Sequence, residues 1–293
     1  MFEGFERQRV AAGDSELNLV TGGKGPPLLL LHGFPQTLAI WHQVAPTLAR
    51  HFTLVIPDLP GYGASKGPVP DAGNVNYSKR QTAETMVRLM AALGHQKFLL
   101  AGHDRGGRVG YRLALDHPEC VVAFAPLDIV PTIVEWEGMN WERALNSYHW
   151  LFLAQSPLAE HMIARDPDFY INHLLDRWAG KRQALSAEAV AEYVKAFRQP
   201  SVIAATCADY RAGASLDVEH DRTDRDAGRR IRCPVHVVWG RGYLAKKSTT
   251  PLAAWQRWAE EASETPLDCG HFVAEEEPAA CAEALVRFFT KRP

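Results

Sequence analysis

Short, nearly wholly apolar runs punctuate the chain at Leu28 to Leu31, Thr53 to Ile56, Phe98 to Ala101, Val121 to Leu127 and Val235 to Trp239. They do not alternate with polar residues, which is the pattern of strands covered on both faces of a parallel sheet. Ahead of them, about Phe5 to Leu19 reads as two short strands around the turn pair Gly13-Asp14. Gly22 to Pro27 reads as a loop. Helical patterning fills the intervals at Trp41 to Arg50, Lys79 to Leu93, Arg108 to Asp116, Pro251 to Glu261 and Ala279 to Phe289. Strand and helix in alternation predict an α/β fold with a mostly parallel, doubly wound sheet and right-handed crossovers.

The alternation stops after Pro131. From there to about Arg225 the pattern is helical and rich in large aromatics, among them Trp136, Trp141, Tyr148, Trp150, Phe152, Tyr170, Trp178 and Tyr210. The sheet pattern resumes at Ile231. The expected organisation is an α/β core formed by residues 1–130 and 226–293, with residues 131–225 inserted as a helical cap. The charged run Glu219 to Arg230 reads as the solvated exit of that insertion.

Length and composition fit this picture. A chain of 293 residues suits one α/β domain with an insertion, or two small domains. Apolar residues at 46% are enough for a full core. A net charge of −2 gives no reason to expect nucleic acid or an anionic membrane as partner. Cys120, Cys207, Cys233, Cys269 and Cys281 are odd in number and widely spaced, which fits reduced thiols better than a disulfide framework. No zinc-like Cys/His spacing occurs. Met1 to Val10 lacks the apolar stretch of a signal peptide, so the expected location is the cytoplasm.

The chemistry concentrates after the strand ending at Ala101, in Gly102-His103-Asp104-Arg105-Gly106-Gly107. Strand, glycine-flanked turn and helix make the context of a nucleophile elbow, G-x-Nuc-x-G. The bland alternative is a G-x-D-x-G loop that merely turns. The central residue is Asp rather than Ser, and that decides the reaction. A carboxylate is ionised at neutral pH and attacks an sp3 carbon without a base to activate it. The product is an alkyl ester of the enzyme, and a water activated by a His then cleaves it. Halide displacement and epoxide opening are the reactions this suits.

The partners follow in the order nucleophile, acid, His that marks α/β-hydrolases. His271, in Asp268-Cys269-Gly270-His271-Phe272, lies in the loop before the last helix, where the general base belongs. The orienting acid can follow either of two strands. Trp239 to Ala245 contains no Asp or Glu, whereas Pro126-Leu127-Asp128-Ile129 supplies Asp128. Its job is to hold the His tautomer and stabilise the imidazolium; the competing reading is a helix-capping Asp. Two backbone N–H groups are expected to meet the oxyanion of ester hydrolysis, that of Arg105 and that of Phe34 in His32-Gly33-Phe34-Pro35.

These residues resemble a known group. His32-Gly33-Phe34-Pro35-Gln36-Thr37, Asp58-Leu59-Pro60-Gly61-Tyr62-Gly63, Gly102 to Arg108 and Asp209-Tyr210-Arg211-Ala212-Gly213 are similar to the fluoroacetate (haloacetate) dehalogenases. The likeness runs from about Pro26 to the C-terminus. It implies an α/β-hydrolase fold, no cofactor or metal, a small haloacid substrate and a homodimer. It further implies that Arg105 and Arg108 bind the substrate carboxylate, a pairing that suits a planar guanidinium. The competing reading of Arg108 is a solvent-facing helix residue. The resemblance also implies a halide pocket of His149, Trp150 and Tyr210, each otherwise a packing residue of the cap. The segments around Gly138 to Ser147 and Ser156 to Ile163 depart from the pattern, which leaves pocket width open. An epoxide hydrolase using Tyr148, Tyr170 or Tyr210 as acid is the nearest rival, and a non-catalytic binding protein on the same fold is the more distant one.

Overall fold

The computed structural model describes residues 1–244 and 250–291. Ala245, the last residue of the acid-free segment, and the last two residues of the chain lie outside this range.

One eight-stranded sheet organises the chain. Its strands are β1 (Glu6–Ala12), β2 (Ser15–Gly23), β3 (Pro27–Leu31), β4 (Thr53–Pro57), β5 (Phe98–His103), β6 (Val121–Leu127), β7 (Val235–Gly240) and β8 (Ala262–Leu267), in the spatial order β1-β2-β4-β3-β5-β6-β7-β8. The pairs from β4 through β8 are parallel. β1 and β2 form an antiparallel hairpin, and β2 runs antiparallel to β4. The apolar runs become strands because both faces are covered. Leu29 and Leu31 of β3 enter one core, while Leu28 and Leu30 enter the other. Helices Lys79–Ala92 and Asp104–Asp116 cover the first face, and Pro278–Phe289 covers the second.

The chain leaves β3 toward β4 on one side and later places β5 on the other. The C-terminal ends of β3 and β5 therefore flank the point where strand order reverses, where open α/β sheets bind their ligands. The loops after both strands carry candidate residues.

The elbow is as tight as the motif predicts. Asp104 has φ of +45°, a left-handed conformation that side chains seldom adopt. A Cβ on Gly106 would lie 2.4 Å from the His32 carbonyl oxygen, so only glycine lets the helix start this close to β3.

Three sequence expectations need correction. The stretch read as helix to Glu261 stops at Trp258, and β8 follows as an edge strand. Its Ser263, Glu264 and Thr265 are not an apolar run, so hydrophobic patterning does not reveal it. The helix expected over Trp41 to Arg50 is a 3-10 turn, Leu38–Trp41, followed by a single helical turn, Ala45–Leu48. The run Glu219 to Arg230 is not simply solvated. It lies largely in helix Leu216–Asp226, whose Asp217, Asp221 and Asp224 are buried. Arg112, on the helix after β5, bridges to both Asp221 and Asp224. Between Pro131 and Ala227 the described residues are helices joined by short loops.

Candidate active site

Asp104 starts its helix with its carboxylate pinned on one side. Oδ1 accepts the Phe34 N–H at 2.9 Å. Oδ2 lies 3.9 Å from His271 Nε2. His271 Nδ1 in turn meets Asp128 Oδ2 at 2.6 Å, and Asp128 Oδ1 accepts the Gly240 N–H at 2.9 Å. Asp128 has φ of +54°. The three residues come from the ends of β5 and β6 and the loop after β8, so they form one line across the C-terminal edge of the sheet. Asp104 is only 7% exposed, His271 3% and Asp128 1%. The pair Phe34–Arg105 expected to hold an oxyanion is half documented by a contact: Phe34 N–H sits on Asp104. The Arg105 amide lies in the first helical turn, where backbone N–H groups have no intrahelical acceptor.

Burial pushes the Asp104 carboxyl up, but the field of His271, Arg105 and Arg108 outweighs it and holds the group well below the usual carboxylate range. Asp104 is therefore an anion at neutral pH.

Arg105 and Arg108 are both buried. Arg105 is anchored by Asp209: its Nε donates to Oδ2 at 2.6 Å and its Nη2 to the backbone oxygen at 2.8 Å. Asp209 also receives Lys79 and the Tyr62 hydroxyl. The guanidinium carbon lies 4.2 Å from the centre of the Tyr210 ring. Arg108 donates through Nη1 to the Val130 oxygen at 2.9 Å and lies 4.5 Å over the Trp150 ring. Each arginine keeps a buried nitrogen, Arg105 Nη1 and Arg108 Nε, without a hydrogen-bond partner among the described residues. Buried donors are seldom left so.

His149, Trp150 and Tyr210 close the same space. Tyr210 lies 5.8 Å from His149 and 5.9 Å from Trp150, centre to centre, and 5.3 Å from Phe34. Burial pulls the His149 imidazole down to about 3, so at neutral pH it is uncharged with one N–H to give. Its Nδ1 is buried without a partner.

Several neighbours escaped the sequence reading. Trp178 packs 4.4 Å from His149 and 5.7 Å from His271, and Tyr243 lies 4.4 Å from His271. Trp178 was visible only as one more cap aromatic, and Tyr243 lay in a segment searched for acids. Both line a cavity of about 640 Å3 together with Asn140, Arg143 and Ser147. That cavity is offset from Asp104, which is enclosed. It opens beside the chemistry, and its lining draws on the divergent segment Gly138 to Ser147. His103 Nε2 donates to the His271 carbonyl at 2.8 Å; burial lowers this imidazole to about 3, so it holds the loop as a neutral donor.

Comparison with known proteins shows the family. The alpha/beta hydrolase fold family matches residues 26–278. A fluoroacetate dehalogenase from Burkholderia sp is 42% identical over 292 residues, which is 99% of this chain and 95% of that protein. A soluble epoxide hydrolase from Corynebacterium sp. (strain C12) is 32% identical over 93% of each chain. The crystal structure of an alpha/beta hydrolase, so assigned provisionally, from Nostoc sp PCC 7120 superposes with a TM-score of 0.96 at 44% identity, covering 99% of both chains. Among the described residues no helix is long and apolar enough to cross a membrane. The chain belongs to the alpha/beta hydrolase fold family, in the group of hydrolases that includes fluoroacetate dehalogenase.

Proposed function

We propose that the protein hydrolyses a small 2-haloacid, fluoroacetate or chloroacetate, to the 2-hydroxyacid and halide through an ester on Asp104. The observation that carries this is the pairing of an anionic nucleophile with two buried arginines that each keep an unpartnered nitrogen. An anionic substrate placed beside Asp104 needs compensating charge, and a carboxylate is the acceptor that a guanidinium fits.

In the first step Asp104 Oδ2 attacks C2 of the substrate. The C–O bond forms as the carbon–halogen bond breaks, and the electron pair leaves with the halide. A chiral C2 inverts. His149, Trp150 and Tyr210 offer N–H and O–H donors to the departing halide. In the second step water adds to the Asp104 ester carbon while His271 Nε2 takes its proton. The developing charge falls on Oδ1, which already accepts the Phe34 N–H. Collapse expels the hydroxyacid oxygen, the former Oδ2, which takes the proton back from His271; the water's second proton, left on the new Asp104 carboxyl, departs to solvent, and Asp104 is a carboxylate again. Asp128 holds the imidazole and its transient charge. In this reading the helices between β6 and β7 act as a cap that keeps bulk water from the ester.

Halide release from fluoro-, chloro- and bromoacetate tests the reading. The wild type should release halide from at least one of them. Asp104→Asn should abolish release, and His271→Ala should stall with a carboxymethyl ester on Asp104, visible by mass spectrometry. No release from any haloacetate at high enzyme concentration would sink the proposal. The epoxide hydrolase rival draws support from the Corynebacterium relative and from Tyr210 beside the site. It leaves the two arginines without a purpose, and turnover of a neutral epoxide but no haloacid would favour it.

A further inference from the structure

The loop that carries His271 is held by a side chain that takes no part in the chemistry above. Glu276 is 5% exposed and ends the short helix Val273–Glu276. Its Oε2 accepts the Gly270 N–H at 2.9 Å, and its Oε1 accepts the Phe272 N–H at 3.0 Å. The two amides flank His271 on either side. Oε2 also accepts the Lys181 N–H at 2.8 Å, which belongs to the helical insertion. The insertion grips the loop a second time, through the His271 N–H and the Trp178 oxygen at 3.0 Å. Gly180 and Gly270 touch backbone to backbone there, since a Cβ on Gly270 would lie 2.2 Å from the Gly180 nitrogen.

We propose that Glu276 is the positioning residue for ester hydrolysis, fixing His271 between the sheet and the insertion by clamping the amides before and after it. The inference rests on the dehalogenase reading, because it needs a reaction with two chemical steps. Those steps depend on different parts of the fold. Displacement needs the Asp104 carboxylate together with Arg105, Arg108 and the halide donors. None of these is bonded to Glu276. Hydrolysis needs His271 Nε2 aimed at a water beside Asp104, and a carboxylate accepting three backbone N–H groups is a strong, charge-assisted anchor for that aim. A small misplacement of a general base is costly to rate. The same helical turn carries Glu275, which bonds Gln36 just beyond Phe34. The base loop and the oxyanion loop therefore hang from adjacent residues.

The consequence is a separation of steps. Glu276→Gln replaces an acceptor oxygen with a donor that faces backbone N–H groups. Glu276→Asp keeps the charge and withdraws it by one methylene, and it serves if the amide variant does not fold. Rapid-quench measurement with chloroacetate should give halide release in the first turnover at close to the wild-type rate. Decay of the Asp104 ester should slow by about tenfold or more, with the ester accumulating in steady state. Ester decay at the wild-type rate would overturn the proposal. So would equal slowing of both steps, the signature of a general loosening of the fold. His271→Ala in the same assay separates the two levels of argument. If it traps no ester, the dehalogenase reading falls and takes the positioning role with it. If it traps ester while the Glu276 variants do not, only the positioning role falls.

Discussion

At the scale of single residues, burial and neighbouring charge together decide which groups around Asp104 are ionised. Asp104 stays anionic because positive groups outweigh its burial, and His149 stays neutral because nothing outweighs its burial. Glu275 shows the opposite outcome for a carboxyl. It is 1% exposed and sits with Gln36 and Tyr193; burial raises it to about 8, above its ordinary 4.5, and Glu276 beside it adds to the rise. A carboxyl raised in this way holds its proton in the folded chain after the unfolded chain has released it. The contribution of this group to folding stability is then fully present below 4.5 and is lost as pH climbs toward 8. Glu275→Gln should keep the bonds to Gln36 and Tyr193 and remove the titration. Its Tm relative to wild type should rise as pH climbs from 4.5 to about 8 and level off above that. A Tm difference independent of pH would show that Glu275 is ionised in the folded chain throughout.

At the scale of elements, the elbow joins β5, the helix Asp104–Asp116 and the end of β3. The helix can begin at Asp104 because Gly106 lies against the His32 and Leu31 backbone without a side chain between them. Backbone cannot swing aside as a side-chain tip can. Gly106→Ala should cost about 3 kcal/mol, the upper range for overpacking, seen as a lower urea midpoint. It should also draw Asp104 Oδ1 away from the Phe34 N–H, because both loops meet there. An unchanged midpoint would mean that β3 and the helix can part without loss. The elbow was legible because glycine spacing and strand context are local. The edge strand β8 was not, since its Ser263, Glu264 and Thr265 lie on the sheet's margin and need no apolar run.

At the scale of the whole molecule, buried charge joins the helices between β6 and β7 to the helix after β5. Arg112 is 1% exposed and bridges to Asp221 and Asp224 of helix Leu216–Asp226 and to Asp116. Tyr111 and the Ile133 amide also donate to Asp221, which burial raises to about 6. Removing the cation would strand two carboxylates. Arg112→Met should destabilise by about 3–5 kcal/mol at pH ~8 in urea unfolding, and by less at pH ~5, where Asp221 takes up a proton. Equal loss at both pH values would mean that lost packing, not charge, carries the effect.

The amino-acid sequence by itself determined what depends on neighbours along the chain. Apolar runs buried on two faces made the central strands, and the glycines around Asp104 made the turn. The order of Asp104, Asp128 and His271 followed from which strand ends carried a suitable residue. The tertiary structure alone decided what depends on residues far apart. Asp209 anchors Arg105 across 104 positions, and Lys79 joins the same carboxylate from a different helix. Glu276 accepts the Lys181 N–H only because the helical segment between β6 and β7 meets the His271 loop, where Gly180 lies against Gly270. The charged run Glu219 to Arg230 looked solvated because charge usually is; Arg112 on another helix made its burial possible. No periodicity or motif encodes such pairings, since each exists only where the fold brings two distant surfaces into contact and excludes water between them.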